Sequence, residues 1–307
     1  MESPTVIPVP DLDGALSFFI DQLGFRMHRI WPADDPRVAQ LIGHDVCIEL
    51  RIDGEPSPIP ETLPVWVPSV EISRIADATW GLGRAGMRYR DLLPSRQGGH
   101  FIASHIQIPG TGPVPDWVHF HEVALQMIFC YRGRVSVVYE DQGPPFEMVA
   151  GDCVLQPPTI RHRVLESADD LEVIEIGGPA CHVTGADHVL HLPNPTRDPE
   201  RRFAGQRFVR SVAADAQWER HGMVQIRDLG IAAATDGLAS VSILKGASDT
   251  IDLEHRGGLL FLFVLRGWLR VGEVLLETGD SIALAEGSSV LFSGEILRVS
   301  TVPYTPA

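Results

Sequence analysis

The spacing of hydrophobic residues changes along the chain, and each change marks a different kind of element. Residues 4–9 read as a short strand. Leu12, Leu16, Phe19, Ile20 and Leu23 then recur at three- and four-residue intervals, which puts them on one face of a helix. Asp11 stands at the N-cap and Gly24 just past the last apolar position, where a left-handed residue is wanted. Residues 25–30, 38–42 and 46–52 read as strands, the last with Ile48 and Leu50 alternating against Glu49 and Arg51. The first 55 residues are therefore predicted as a βαβββ module.

Residues 53–69 contain Gly54 and prolines 56, 58, 60, 64 and 68, and Gly81, Gly83 and Gly86 interrupt any helix beyond them. We read residues 56–95 as a linker and connecting segment. From residue 96 onward short alternating strands dominate: 101–109, 118–121, 127–132, 134–140, 153–156, 162–166 and 171–176, divided by turn-forming residues at 109–113, 141–145 and 156–159. A Pro- and Arg-rich stretch, 193–206, forms a second linker. Strands follow at 241–244, 259–265, 268–271, 281–284 and 290–292. Regularly spaced short strands predict two β-barrels or sandwiches, at 96–192 and 207–307.

The two strand-rich halves repeat one another. Tyr131-Arg132-Gly133-Arg134-Val135 aligns with Leu265-Arg266-Gly267-Trp268-Leu269, and Gly151-Asp152 falls close to Gly279-Asp280. In that register His121 matches His255, but His119, Gln126 and His162 match Leu253, Leu260 and Val290. The second half keeps strands and turns and loses the polar cluster.

That cluster is the candidate chemistry. His119 and His121 are two residues apart on a strand and so share a face. His162 can return to them if the intervening strands fold back. Three imidazoles meeting in an apolar interior need their nitrogens satisfied, and a divalent metal does this. One such ion, Zn, Fe, Ni or Mn, is expected, in the first barrel only.

Composition narrows the partners. A net charge of −15 repels phosphate backbones and anionic membrane surfaces, so nucleic acid is not an expected partner. Cys47, Cys130, Cys153 and Cys181 form no CxxC pair and lie in apolar surroundings, as buried thiols do in a reducing compartment. The N-terminus carries no basic region followed by an apolar core, and the run 259–265 is too short to span a bilayer. A cytoplasmic protein with a small-molecule substrate is the expectation.

Two resemblances add to this. The sequence Gly112 … His119-Phe-His121-(four)-Gln126-(six)-Gly133, with Gly151-(five)-Pro157-Pro-Thr159-Ile-Arg-His162, resembles the paired motifs of the cupin superfamily. It departs from them at three points: Gly112 sits one residue early, Thr159 replaces a glycine, and Gln126 replaces the acidic ligand. Two copies imply a bicupin, mainly β, with two cupin-type barrels behind the βαβββ module. The resemblance implies His119, His121, Gln126 and His162 as the metal set, with Gln126 either coordinating or orienting a bound water. Glutamine here is known in cupins that cyclise or isomerise carbonyl compounds, whereas cupin dioxygenases mostly keep glutamate or use three histidines. The expected function is a metal-dependent bicupin enzyme acting on a small carbonyl, enol or aromatic diol, by Lewis-acid cyclisation or isomerisation or by dioxygenation. The alternative is a ligand- or metal-sensing cupin without turnover. His105 and Cys130 are candidate pocket residues. His182, His188 and His191, in a Gly- and Pro-rich segment, read as surface or interface residues.

The second resemblance covers the first 55 residues. Val9-Pro-Asp11 through Leu23-Gly-Phe25, with 34–44, is similar to one module of the vicinal-oxygen-chelate (glyoxalase-like) superfamily. Such modules work in pairs, so this one is expected to pack on another domain or on its twin in a homodimer. The family's first metal position falls near Thr5, a poor ligand. Glu49 matches the late-strand glutamate, but alone it reads as a solvent-facing strand residue.

Overall fold

The computed structural model describes residues 3–32, 34–54, 63–83 and 86–303; Pro56, Pro58 and Pro60 of the expected linker lie outside them. The N-terminal module has the expected order: β1 (Thr5–Val9), α1 (Leu12–Ser17), β2 (Arg26–Trp31), β3 (Val38–Gly43) and β4 (Val46–Ile52). Asp11 caps α1 by accepting the Gly14 N–H at 2.9 Å, and the helix widens into a π turn over Phe18–Gln22 before Gly24 ends it at φ +74°. Its apolar face covers Phe25, Leu41, Ile48 and Leu50. Glu49, expected on the solvent face, is buried on the opposite side of the sheet. It pairs with Arg51 and accepts from Gln40 Nε2 at 3.0 Å, so a neighbouring cation offsets the cost of burying it.

The next strands are β5 (Glu71–Ser73), β6 (Gly81–Leu82), β7 (Arg88–Asp91), β8 (Ile102–Ile108), β9 (Gly112–Pro113), β10 (His119–His121), β11 (Leu125–Tyr139), β12 (Phe146–Val149), β13 (Cys153–Leu155), β14 (His162–Gly178) and β15 (Thr184–Ala186). The first barrel is built around the antiparallel pair β11 and β14, each of which joins two of the predicted strands through a bulge. Gly133 makes the bend in β11 at φ +70°: a Cβ there would meet Ala168 O at 2.7 Å. β10 pairs with β14 and β15, and β15 pairs with β2. The N-terminal module is thus sheet-continuous with the strand that carries the paired histidines.

After the hairpin β16 (Arg202–Phe203) and β17 (Gln206–Arg207) come β18 (Val209–Ser211), β19 (Glu219–His221), β20 (Val224–Asp228), α2 (Ile231–Ala234), β21 (Ala239–Leu253), β22 (Leu260–Val271), β23 (Val274–Glu277), β24 (Ser281–Leu284) and β25 (Ser288–Thr301). The architecture is mainly β, two cupin-type barrels behind the small module. The barrels lie face to face. Leu125, Met127 and Phe129 of β11 and Ile174 and Ile176 of β14 form one buried cluster with Val241, Ile243, Phe261, Phe263 and Val299 of the second. Each such side chain contributes about 1.5–3 kcal/mol on burial.

The segment read as a linker does more than connect. β5 adds to β24 of the second barrel, and β18, in the lead-in to the second barrel, adds to β13 of the first. The repeated Gly-Asp pairs hold these exchanged strands. Asp280 Oδ1 accepts from Ile75 N at 2.8 Å, and Asp152 Oδ1 accepts from Ala213 N at 2.7 Å. Arg90 donates to Gly279 O and Ser73, and Arg227 donates to Gly151 O and Ser211. The second barrel's interior is apolar where the first is polar: Leu253, Leu260 and Val290 are buried with Leu262, Val264 and Phe292. His255 stacks on Trp66 at 6.1 Å, and its Nδ1 accepts from Gly257 N. Among the described residues no helix is long and apolar enough to cross a membrane.

Candidate metal centre

On β10 the strand alternation turns His119 and His121 inward and leaves Phe120 outside, under the Arg161 guanidinium at 4.2 Å. β10 runs antiparallel to the start of β14, which places His162 directly opposite His119. The three ligand atoms lie within 4.8 Å of one another, and all three residues are buried. Their second nitrogens are tied. His119 Nδ1 donates to Trp117 O at 2.8 Å and His162 Nδ1 to Ile160 O at 3.0 Å, while His121 Nδ1 meets Thr184 Oγ1 at 2.9 Å. With Nδ1 donating, Nε2 carries the lone pair, which is the tautomer a metal needs.

Thr159, standing where cupins have glycine, sits at φ +62° and donates its N–H to His121 O at 3.0 Å. A β-branched residue in this region is strained, and the turn it makes delivers His162.

Gln126, at the start of β11, also faces in. Its Nε2 donates to Glu175 Oε1 at 2.7 Å, and its Oε1 accepts from Gln156 Nε2 at 3.1 Å. Gln156 Nε2 also lies 3.2 Å from His162 Nε2, and Tyr139 OH donates to Gln156 Oε1 at 2.8 Å. Burial raises the Tyr139 pKa, so the phenol stays protonated and can donate. Gln126 therefore belongs to a chain, Tyr139–Gln156–Gln126–Glu175, beside the histidines. Sequence reading missed Gln156, Glu175 and Tyr139. Gln156 directly precedes the Pro157-Pro158 pair of the second motif, and that position was the available signal.

Other expectations move. His182, read as a surface or interface residue, is buried, with its ring against His121 at 5.4 Å between centroids. Its Nδ1 donates to Pro179 O, and its Nε2 has no hydrogen-bond partner among the described residues. Burial lowers its pKa. His105 is not on the cavity wall. The β8 residues on that wall are Ile102, Ser104, Ile106 and Ile108, so alternation turns His105 to the other side. There it packs against Trp80, Tyr131 and Phe263 and bonds Glu172 Oε2 at 2.7 Å. Cys130 shares the parity of Gln126 but is not on the wall either. Its Sγ lies against the carbonyls of Arg132 and Gly133 at 3.7 Å, and burial pushes its thiol up to about 12.

The histidines open onto a cavity of about 110 Å³. Because β11 bends at Gly133, Gln126 and Tyr139 at its two ends both lie by the histidines. The rest of the wall is mostly apolar, with Ile106, Ile108, Val135, Val137, Leu171 and Val173, but it also carries Tyr89 and Ser104. The β2–β3 loop of the N-terminal module reaches the wall with Asp34, whose carboxylate pairs with Arg96 at 2.7 Å.

Comparison with known proteins bears on both parts. The family model of the glyoxalase/bleomycin resistance protein/dioxygenase superfamily matches residues 3–107. The match runs past the βαβββ module into β5, β7 and β8, which here pair with the barrels. No curated protein sequence matches the chain. Among solved structures, a mutant Bacillus subtilis oxalate decarboxylase superposes with a TM-score of 0.53 at 11% identity, over 80% of each chain. The Lactobacillus farciminis oxalate decarboxylase in its formate complex gives 0.56 at 12%, over 80% of this chain and 90% of that one. Protein Ylba from E. coli gives 0.51 at 12%, over 78% and 93%. At such identities the likeness establishes the bicupin fold.

Proposed function

We propose that the chain is a metal-dependent bicupin enzyme acting on a small oxygenated organic molecule, with one divalent ion held by His119, His121 and His162. The observation that carries this reading is the convergence of three buried imidazoles within 4.8 Å, with their Nδ1 atoms tied to Trp117 O, Thr184 Oγ1 and Ile160 O. That donor set fits a borderline divalent cation with open positions for substrate. A related fold supports it: a further structure of the Bacillus subtilis oxalate decarboxylase concerns Mn(II) centres.

When bound, the ion supplies Lewis acidity towards a substrate oxygen. The protein's donors are neutral, so no carboxylate ligand reduces its charge; this favours cyclisation or isomerisation of a carbonyl compound over redox chemistry. Gln156 holds its amide N–H beside His162 Nε2, Gln126 and Tyr139 fix Gln156, and Glu175 fixes Gln126. Turnover of an enolisable ketone or a catechol, abolished by chelator, supports the reading; metal-loaded protein inert towards both classes leaves the sensing role. Oxygen consumption that requires Fe²⁺ assigns dioxygenation instead.

A further inference from the structure

His182 belongs to neither of the two cupin-like motifs, yet it lines the cavity beside the histidines. Its direction follows from its neighbours. Cys181 and Val183 pack against Trp31 and Val38 of the N-terminal module. The residue between them is turned the other way, to the side on which Thr184 Oγ1 meets His121 Nδ1. The His182 ring stands nearly perpendicular to that of His121, at 82°. It is outside the set of three histidines whose ligand atoms lie within 4.8 Å of one another, so it flanks the metal set without joining it.

Its two nitrogens are used unequally. Nδ1 donates to Pro179 O at 3.0 Å, which leaves the lone pair on Nε2. The residue is 5% exposed, and no described residue donates to Nε2. The amides on the wall are engaged elsewhere: Gln126 Nε2 on Glu175 Oε1, and Gln156 Nε2 on Gln126 Oε1. Asp34 is itself an acceptor and is paired with Arg96. Water can satisfy a buried acceptor, but a ligand that displaces the water must replace its hydrogen bond or lose affinity. We infer that His182 is a specificity-determining residue of the first barrel, whose Nε2 accepts a hydrogen bond from an O–H or N–H of the bound molecule. The inference rests on the metal reading, because the metal centre is what brings a ligand to this end of the cavity.

The test is calorimetric titration of the zinc-loaded full chain with glycolate and methoxyacetate. Both offer a carboxylate and a neighbouring oxygen, and only glycolate has an O–H to donate. Wild type is expected to favour glycolate about tenfold or more. His182→Phe, which keeps a ring and removes the acceptor, is expected to cut that preference about tenfold at unchanged zinc content. His182→Gln, whose amide oxygen can take the place of Nε2, is expected to restore most of it. Three results each overturn the inference: equal binding of the two probes by zinc-loaded wild type, or none; a preference undiminished in His182→Phe; and a preference no greater in His182→Gln than in His182→Phe. Zinc content is measured first and separates the two failures. A wild-type chain that takes up no zinc overturns the metal reading and this inference together. One zinc per wild-type chain that is lost in His182→Phe makes His182 a ligand and overturns this inference alone.

Discussion

Gln126→Glu is a near-isosteric change that restores the residue cupins use, and the structure predicts that it destabilises the metal-free protein. The amide now donates to Glu175 Oε1 at 2.7 Å. Two full negative charges at that distance repel by about 6 kcal/mol at an effective dielectric constant of about 20. The lower-energy solution is to hold one proton between them. Protonating a carboxyl of ordinary pKa, about 4.3, costs about 3.7 kcal/mol at pH 7 and about 1 kcal/mol at pH 5. The variant's folded state binds one more proton than its unfolded state across this range, so its stability falls relative to wild type as pH rises. Urea unfolding in EDTA should read a loss of about 3–4 kcal/mol at pH 7 that shrinks to about 1 kcal/mol at pH 5. Zinc should then stabilise the variant more than the wild type, because the ion offsets the paired carboxylates. A metal-free Gln126→Glu protein as stable as wild type at pH 7 would refute the contact between Gln126 and Glu175 and the polar chain built on it.

Three further outcomes follow from the fold. Asp280→Ala removes a buried carboxylate that accepts from Ile75 N at 2.8 Å and Glu277 N at 3.0 Å, so the denaturant midpoint should report a loss of about 3–5 kcal/mol; under 1 kcal/mol would mean that the exchanged strand is not held there. Thr159→Gly relieves the left-handed strain and should raise the melting temperature through a net gain of about 0.5–2 kcal/mol, after the added freedom of glycine in the unfolded chain; a lower melting temperature contradicts this. Burial lowers the His105 pKa, although Glu172 pulls the other way, so the fold holds the imidazole neutral. The unfolded chain then takes up more protons, and the contribution of His105 to stability is present above about pH 6.5 and lost as pH falls below it. Comparing wild type with His105→Gln at pH 7.5 and 5.5 checks this, and a pH-independent difference would contradict it.

The histidines were legible because strand alternation is local: two residues apart means one face, whatever the rest of the chain does. The repeat was legible because Gly133 and Gly267 mark the same bend, which only glycine makes without collision. Gln156 and Glu175 were not, because their approach to Gln126 depends on register among three strands separated by up to 49 residues. His105 failed for a related reason: the loop at 109–117 carries no periodicity, so parity could not be passed from β10 back to β8. His182 lies in a segment with neither strand nor helix spacing, and its burial comes from packing against His121. The strand exchange was hidden because β5 is three residues long and follows a proline-rich stretch. Glu49 was assigned to solvent by alternation alone, which does not register that Arg51 and Gln40 cover the same face.

The central claim is one metal ion in the first barrel and none in the second. Elemental analysis of the purified chain, wild type and His121→Ala, tests it most directly. The account predicts one divalent ion per wild-type chain, retained when His255 is replaced by alanine and lost when His121 is. A wild-type chain that purifies without metal and takes none up on reconstitution would contradict it.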